Sequence, residues 1–434
     1  MQLYSIFLQH PIICTDSRVC PKDSIFFALK GDNFNANVFA LSAIEKGCSY
    51  AVVDEAEFAI DHRFILVENV LETLQTLATY HRKKLETPIL GITGTNGKTT
   101  TKELIAAVLK EKYNILFTQG NLNNHIGVPL TLLQLKAEHE IAVIEMGANH
   151  LGDIKQLAEI ACPNYGIITN VGKAHLEGFG SFEGVKQTKK ELYDYIFANG
   201  KEIFINKDNA YLVEMAAKTG FKATDRTCEY SLDPNSKNCE IYGWVKSCSP
   251  FLNMDCTLGT SETVTINTQL IGAYNAENVL AAIAIGHYFE VENNSIKQGL
   301  ENYIPQNNRS QLTVTENNKL VVDAYNSNPT SLRAAILNFA QMDVENKTLI
   351  IGDMLELGAQ SEVEHQNIIE LLQQNKFHNV LLVGKEFSKT MSQFHCFSDV
   401  TELIKHLEKQ PVKNNFILIK GSRGIKLEKV ISKL

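Results

Sequence analysis

Residues 94–100 read Gly94, Thr95, Asn96, Gly97, Lys98, Thr99 and Thr100, between a short apolar run and a long amphipathic stretch. The usual phosphate-loop spacing, a glycine, four residues, then Gly-Lys-Ser/Thr, is not met, because Ile92 stands five positions before Gly97. The chemistry is still that of a phosphate cradle. Glycines let main-chain N–H groups approach oxygens closely, and a helix start offers free N–H groups with the positive end of its dipole. Lys98 can neutralise β- and γ-phosphates, and the Thr99 hydroxyl can ligate Mg2+. The plain alternative is a strand-to-helix turn with a capping threonine. Strand, glycines, lysine, threonines and helix in this order favour nucleotide binding.

Glu145, in "VIEMGANH", ends the next apolar run. Carboxyl ends of strands in open parallel sheets face the ligand crevice, so Glu145 is placed to join Thr99 on a metal. The alternative is an exposed strand-end glutamate. His175, in "TNVGKAHLEGFG", follows a further strand on the same side, and a structural histidine is an equal reading. Lys186, Lys189 and Lys190 lie on a helical stretch and by default form a solvated basic face.

The elements that must position these residues alternate. Up to about residue 85, "SIFFALKG" and "YAVVDE" read as strands, and "ANVFALSAIEKG" and "VENVLETLQTLATYHRKKLE" as helices, the second ended by Pro88. From residue 88 to about 300, "PILGIT", "EIAVIEMG" and "YGIITNVG" are strands separated by the helices "TTKELIAAVLKEKY" and "DIKQLAEIA". Apolar strands divided by helices predict a mainly parallel sheet. Residues 225–270 alternate in polarity and read as antiparallel strands on one side. A third alternating set begins near residue 318, after a hinge-like "PQNNRSQ". The expected fold is α/β in three domains, 1–85, 86–307 and 308–434.

The bulk properties agree. A chain of 434 residues exceeds one core. A net charge of −8 disfavours a nucleic-acid partner, and no apolar run is long enough for membrane insertion. Nine scattered cysteines without a CxxC pair, and a start lacking a basic region and cleavage site, point to reduced thiols in the cytoplasm.

Beyond these residues, the chain resembles the Mur ligase family, ATP-dependent amide-bond ligases of peptidoglycan precursor synthesis, and so of cell-wall growth, shape and division. "TDSR", "FFALKGDNFNANVFA", "GTNGKTT", "NLNNHIGVPLTLL", "EMGANHLGDI", "NVGKAHLEGFGSFEGVKQTKKEL" and "GAYNAENVLAAIAIG" carry the likeness, with "VVDAYNSNPTSLRAAI", "GDMLELG" and "IKGSRGIKLEKV" downstream. The short GTNGKT loop is the family's own variant. "DAYNSNPTS", "GDMLELG" and "KGSR" resemble the member that adds D-alanyl-D-alanine to UDP-N-acetylmuramoyl-tripeptide. The Asn-Pro-Arg type of motif usual in the member adding the third residue is not visible.

The resemblance implies a small N-terminal α/β UDP-sugar-binding domain, a central phosphate-loop ATPase domain and a C-terminal Rossmann-like domain receiving the incoming dipeptide. A monomer is expected. Lys98 and the 94–100 main chain would hold ATP, and Thr99 and Glu145 one Mg2+. His175 would help hold a second ion with a carbamylated lysine, Lys189, with Lys190 as the alternative. Asn278 would contact adenine, and Arg309 and Asp323 phosphate and ribose, with Tyr325, Asn326 and Asn328 lining the same cleft. Asp16, Ser17, Arg18, Lys30 and Gly31 would contact the UDP-sugar, Asn124 the acceptor carboxylate, and Lys420 and Arg423 the dipeptide. A sister ligase of the family and a non-catalytic UDP-sugar-binding ATPase module are the competing readings.

Overall fold

The computed structural model describes the chain from residue 2 to residue 434, apart from residues 175, 223–224, 237–238, 260–261 and 307. Three main sheets follow one another along the chain. The first is parallel throughout, in the order Ile13–Cys14, Ile25–Phe27, Tyr50–Val53, Phe64–Leu66. The predicted helix between its middle strands forms as Ala40–Glu45 after a 3-10 turn at Ala36–Phe39. A helix that the sequence patterning does not mark, Gln2–Gln9, buries Phe7 and sets Tyr4 Oη 3.2 Å from His81 Nδ1.

Helix Val70–Leu85 couples this unit to the next. Its Asn69 side chain accepts the Glu72 N–H at 3.0 Å, a capping bond that fixes the start. The stop comes two residues before Pro88, the terminator expected from sequence. Glu86, with φ +57°, closes the last turn by donating its N–H to Arg82 O. Arg82 donates to Ala161 O and Cys162 O, both at 3.1 Å, and to Asn164 Oδ1 at 2.8 Å, so its buried guanidinium ties the helix to the second sheet.

Among the described residues that second sheet has nine strands. Its parallel part runs Ile115–Phe117, Ile141–Glu145, Ile89–Thr93, Tyr165–Ile168, Glu202–Asn206, Thr227–Ser231, followed by the hairpin strands Ile241–Cys248, Phe251–Thr257 and Thr263–Ile271. The antiparallel portion is thus narrower than residues 225–270: Thr227–Ser231 is parallel to both neighbours. Strand Ile89–Thr93 lies between two strands reached by crossovers in opposite directions, which opens a crevice beyond its carboxyl end.

The third sheet runs Gln311–Val314, Lys319–Asp323, Phe416–Lys420, Lys347–Gly352, Val380–Val383, His395–Phe397, parallel except for its first pair. Among the described residues no helix is long and apolar enough to cross a membrane.

Candidate functional site

The phosphate loop leaves the fully buried strand Ile89–Thr93 and enters helix Lys98–Lys110. Its glycines are dictated by space as well as conformation. At Gly94, φ +145°, a Cβ would come within 2.0 Å of Thr169 Oγ1; at Gly97, φ +76°, it would come within 2.7 Å of Asn278 Oδ1. The loop is braced from the end of the neighbouring strand. Thr169 Oγ1 donates to Asn96 O at 2.7 Å, while Asn170 takes the Asn96 N–H on Oδ1 at 2.9 Å and the Thr95 N–H on its carbonyl at 3.0 Å.

Lys98 bends over its own loop, donating to Gly94 O at 2.7 Å and Thr95 O at 3.1 Å. Burial lowers its pKa to about 8, an effect opposed by Glu145 and reinforced by Arg309. Thr99 Oγ1 donates to Glu145 Oε2 at 3.0 Å, and Asn123 Nδ2 to Oε1 at 2.8 Å. Glu145 is 1% exposed and the Lys102 ammonium lies 3.5 Å from it. A hydroxyl and a carboxylate, both hard oxygen donors, therefore meet beside the phosphate loop, and this pair fits one Mg2+. Asn123 and Lys102 are not singled out by sequence. Asn123 lies within "NLNNHIGVPLTLL", where the resemblance gives a role only to its neighbour Asn124, and Lys102 has the spacing of an ordinary helix-face cation.

Of the second metal set, His175 lies outside the described residues. Lys189 is 2% exposed on helix Phe182–Asn199, its ammonium 5.5 Å from the Phe179 ring centre, and it is not on the cavity wall. Among the described residues it has no ion-pair partner. Burial foremost, then the Lys98 charge, holds it well below the ordinary lysine value, against Asp153 and Glu191. Lys190, by contrast, pairs with Asp194 one turn on, at the surface.

The opposite wall comes from the third unit. The Arg309 guanidinium stacks 3.6 Å from the Tyr325 ring centre, and that of Arg423 lies 5.5 Å from it. Lys420, 2% exposed, is held by Asp323 Oδ2 at 2.6 Å and Asn326 O at 3.3 Å. Asp323 and Lys420 thus neutralise each other in this conformation. Asn328 caps helix Pro329–Gln341 and its Nδ2 donates to Asn96 Oδ1 at 2.7 Å, across the cleft. Lys173 and Glu364 make a second bridge at 2.9 Å.

Between the walls is a cavity of about 960 Å³, lined by Thr95–Thr100, Asn124, Glu145, Asn278, Arg309, Asp323, Tyr325, Asn326, Asn328, Lys420 and Arg423. Asn278 is fastened at the back of the loop, taking the Thr101 hydroxyl at 2.9 Å and donating to Asn275 at 2.8 Å. Asn124 Oδ1 accepts the Ile126 N–H at 3.1 Å and the Gly127 N–H at 2.8 Å, just ahead of the short helix Gly127–Leu132. The N-terminal candidates stay apart from this cavity. Asp16 and Arg18 pair with each other at 2.7 Å, flanking Ser17, and Lys30, next to Gly31, pairs with Asp54 and Glu55 at 2.8 Å.

A braced glycine loop, a strand-end carboxylate and a facing third unit define a phosphate-loop α/β protein with its site between two sheets. Residues 92–286 match the Mur ligase middle domain and residues 308–423 the Mur ligase glutamate ligase domain. The chain belongs to the Mur ligase family. The UDP-N-acetylmuramoyl-tripeptide–D-alanyl-D-alanine ligase of Bacillus subtilis is 32% identical, covering 97% of this chain and 92% of that protein. Its Escherichia coli counterpart is 34% identical, covering 97% and 93%. A crystal structure of MurF from Acinetobacter baumannii superposes with a TM-score of 0.84 at 28% identity, covering 97% of this chain and 92% of that one. MurF of Thermotoga maritima in complex with ADP shares the fold, with a TM-score of 0.84 at 24% identity, covering 98% and 97%.

Proposed function

We propose that this chain joins D-alanyl-D-alanine to UDP-N-acetylmuramoyl-tripeptide at the expense of ATP, in peptidoglycan precursor synthesis. The observation that carries the reading is the convergence of the phosphate loop, Glu145 and the C-terminal side chains Arg309, Tyr325, Asn328 and Arg423 on one cavity. Relatives of that activity align over nearly the whole chain.

A carboxylate is inert to amines at neutral pH because its leaving group is effectively oxide. Transfer of the γ-phosphoryl group to the tripeptide carboxylate gives an acyl phosphate and ADP. The dipeptide amine then attacks the acyl carbon, and the tetrahedral intermediate expels phosphate, leaving the new amide. The protein's share is positioning and charge neutralisation. The 94–100 main chain and Lys98 cradle the phosphates, and Arg309 approaches from the facing wall. Thr99 and Glu145 would hold one Mg2+, and His175 with carbamylated Lys189 a second; such ions neutralise phosphate oxygens where two anions must meet. Lys189 fits its part only once modified, since carbamylation turns the buried cation into a carboxylate-like ligand.

Residues 1–85 take the UDP-sugar through Asp16, Ser17, Arg18, Lys30 and Gly31, residues 86–307 take ATP, and residues 308–434 take the dipeptide. Asn124 lies toward the acceptor carboxylate and Arg423 toward the dipeptide, with Lys420 acting through Asp323. The nine cysteines are all unpaired, in keeping with a cytoplasmic protein, and the chain is read as a monomer.

The test is purified protein with ATP, Mg2+, D-alanyl-D-alanine and UDP-N-acetylmuramoyl-tripeptide carrying lysine or meso-diaminopimelate. Dipeptide-dependent phosphate release with pentapeptide product supports the reading. Phosphate release that ignores the dipeptide refutes it, and a response to a single amino acid instead identifies a sister ligase.

A further inference from the structure

The N-terminal unit holds a side-chain cluster for which the ligase reaction has no use. Cys14 ends the first strand, Cys20 closes the turn after it, and Cys48 precedes strand Tyr50–Val53. Their sulfurs all lie within 4.8 Å of one another. Among the described residues no other trio of His, Cys, Asp or Glu converges so closely. Cys14 and Cys48 are buried, and Cys20 is partly open to solvent, which provides an entry path.

The spacing is near that of a metal–thiolate centre. Metal–sulfur bonds of about 2.3 Å at tetrahedral angles set ligand sulfurs about 3.8 Å apart, so closing the triangle takes shifts of about 1 Å or less. The present bonds are weak and exchangeable. Cys14 Sγ donates to Asp16 O at 3.3 Å and Val19 O at 3.1 Å, and Cys20 Sγ to Ser17 O at 3.5 Å. Ser24 Oγ lies 3.1 Å from Cys48 Sγ and shares its single proton with Pro21 O, 2.6 Å away. The Lys46 ammonium, fixed on Ser17 O at 2.7 Å, offsets part of the charge of assembled thiolates.

We propose that Cys14, Cys20 and Cys48 form a three-thiolate site for a thiophilic d10 cation such as Zn2+ or Cu+. A donor set of sulfur alone, without imidazole or carboxylate, selects soft ions and rejects Mg2+ and Ca2+. Binding displaces the thiol protons to solvent, with no change of oxidation state. Cys14 and Cys20 flank the turn Asp16–Val19, so the site ties its two ends together. The metal site stands independently of the sugar-nucleotide reading of that turn.

The test uses the reduced full-length chain titrated with Cd2+ as the spectroscopic probe, followed by competition with Zn2+ and with Cu+. The expected result is one Cd2+ per chain, an ultraviolet thiolate-to-metal charge-transfer band, and displacement by Zn2+ or Cu+, the more effective of which names the ion. Cys14→Ser, Cys20→Ser and Cys48→Ser each remove the band, while Cys162→Ser and Cys396→Ser retain it. Circular dichroism of the metal-free variants separates misfolding from ligand loss, and the partly exposed Cys20 carries the test if a buried variant fails to fold. No uptake by the reduced chain, a band surviving in the Cys20→Ser chain, or disulfide formation among the three as their only reaction overturns the site. Cd2+ binding at these cysteines in a chain without ligase activity upholds the site and refutes the enzymatic reading alone.

Discussion

The Lys102 ammonium lies 3.5 Å from the Glu145 carboxylate, fully enclosed and, among the described residues, without a hydrogen bond of its own. It stands behind the side chains assigned to ATP and Mg2+, one helical turn beyond Lys98. Removing one partner of a buried pair leaves the other charge uncompensated. Lys102→Met is expected to cost roughly 3 kcal/mol in urea unfolding, and Glu145→Gln a comparable amount. The double variant should recover at least about 1 kcal/mol relative to the sum of the two. Simple additivity would show that the pair contributes nothing.

Lys98 gives a pH signature. Its folded pKa, about 8, lies below the ordinary 10.5, with burial as the main cause. Below the lower value both folded and unfolded chains are protonated, and the cost of burying the charge is present in full. Between the two values the unfolded chain keeps a proton that the folded chain has released, so this group makes stability rise with pH. Polyphosphate acts in the opposite sense by favouring the ammonium. ATP binding in that window should therefore take up a proton, and affinity should weaken as pH climbs. Calorimetry in buffers of different ionisation enthalpy reads this directly; an enthalpy independent of buffer would falsify it.

Carbamylation requires a neutral amine, and the burial of Lys189 beside the Lys98 charge shifts it toward that form. Lys189→Ala should lose about 100-fold or more in phosphate release and regain part of it with added short-chain carboxylate. Lys190→Ala should stay within about twofold, because Lys190 makes only a surface pair with Asp194. Full activity of the Lys189→Ala chain rejects the assignment.

The bonds Asn96–Asn328 and Lys173–Glu364 cross the cleft. Asn328→Ala removes one bridge and a helix cap worth about 1 kcal/mol. With Glu364→Gln added, small-angle scattering of the ligand-free chain should show a larger radius of gyration than the parent. The full ligand set should bring both chains to one compact value. Curves unaffected by ligands in either chain would count against closure.

Much of this architecture was legible in the chain itself. The strand, glycine loop and helix around Lys98 are local, so composition and spacing express them directly. Glu145 was legible for the same reason, as the polar end of a buried apolar run. Other features depend on meetings between distant segments. Asn123 reaches Glu145 across 22 positions, Asn328 reaches Asn96 across 232, and no periodicity records either approach. The stop at Glu86 falls where the predicted stretch ends, but the left-handed main-chain conformation that makes it, at a glutamate, carries no compositional mark. The nine cysteines are scattered along the chain, and convergence of Cys14, Cys20 and Cys48 depends on how a parallel sheet stacks a turn against a loop. Local chemistry and alternating patterning were thus determined by the sequence alone. Which side chains share a charge, a cavity or a metal-sized gap was decided only by the tertiary structure, because those energies depend on distance and exclusion of water rather than on order along the chain.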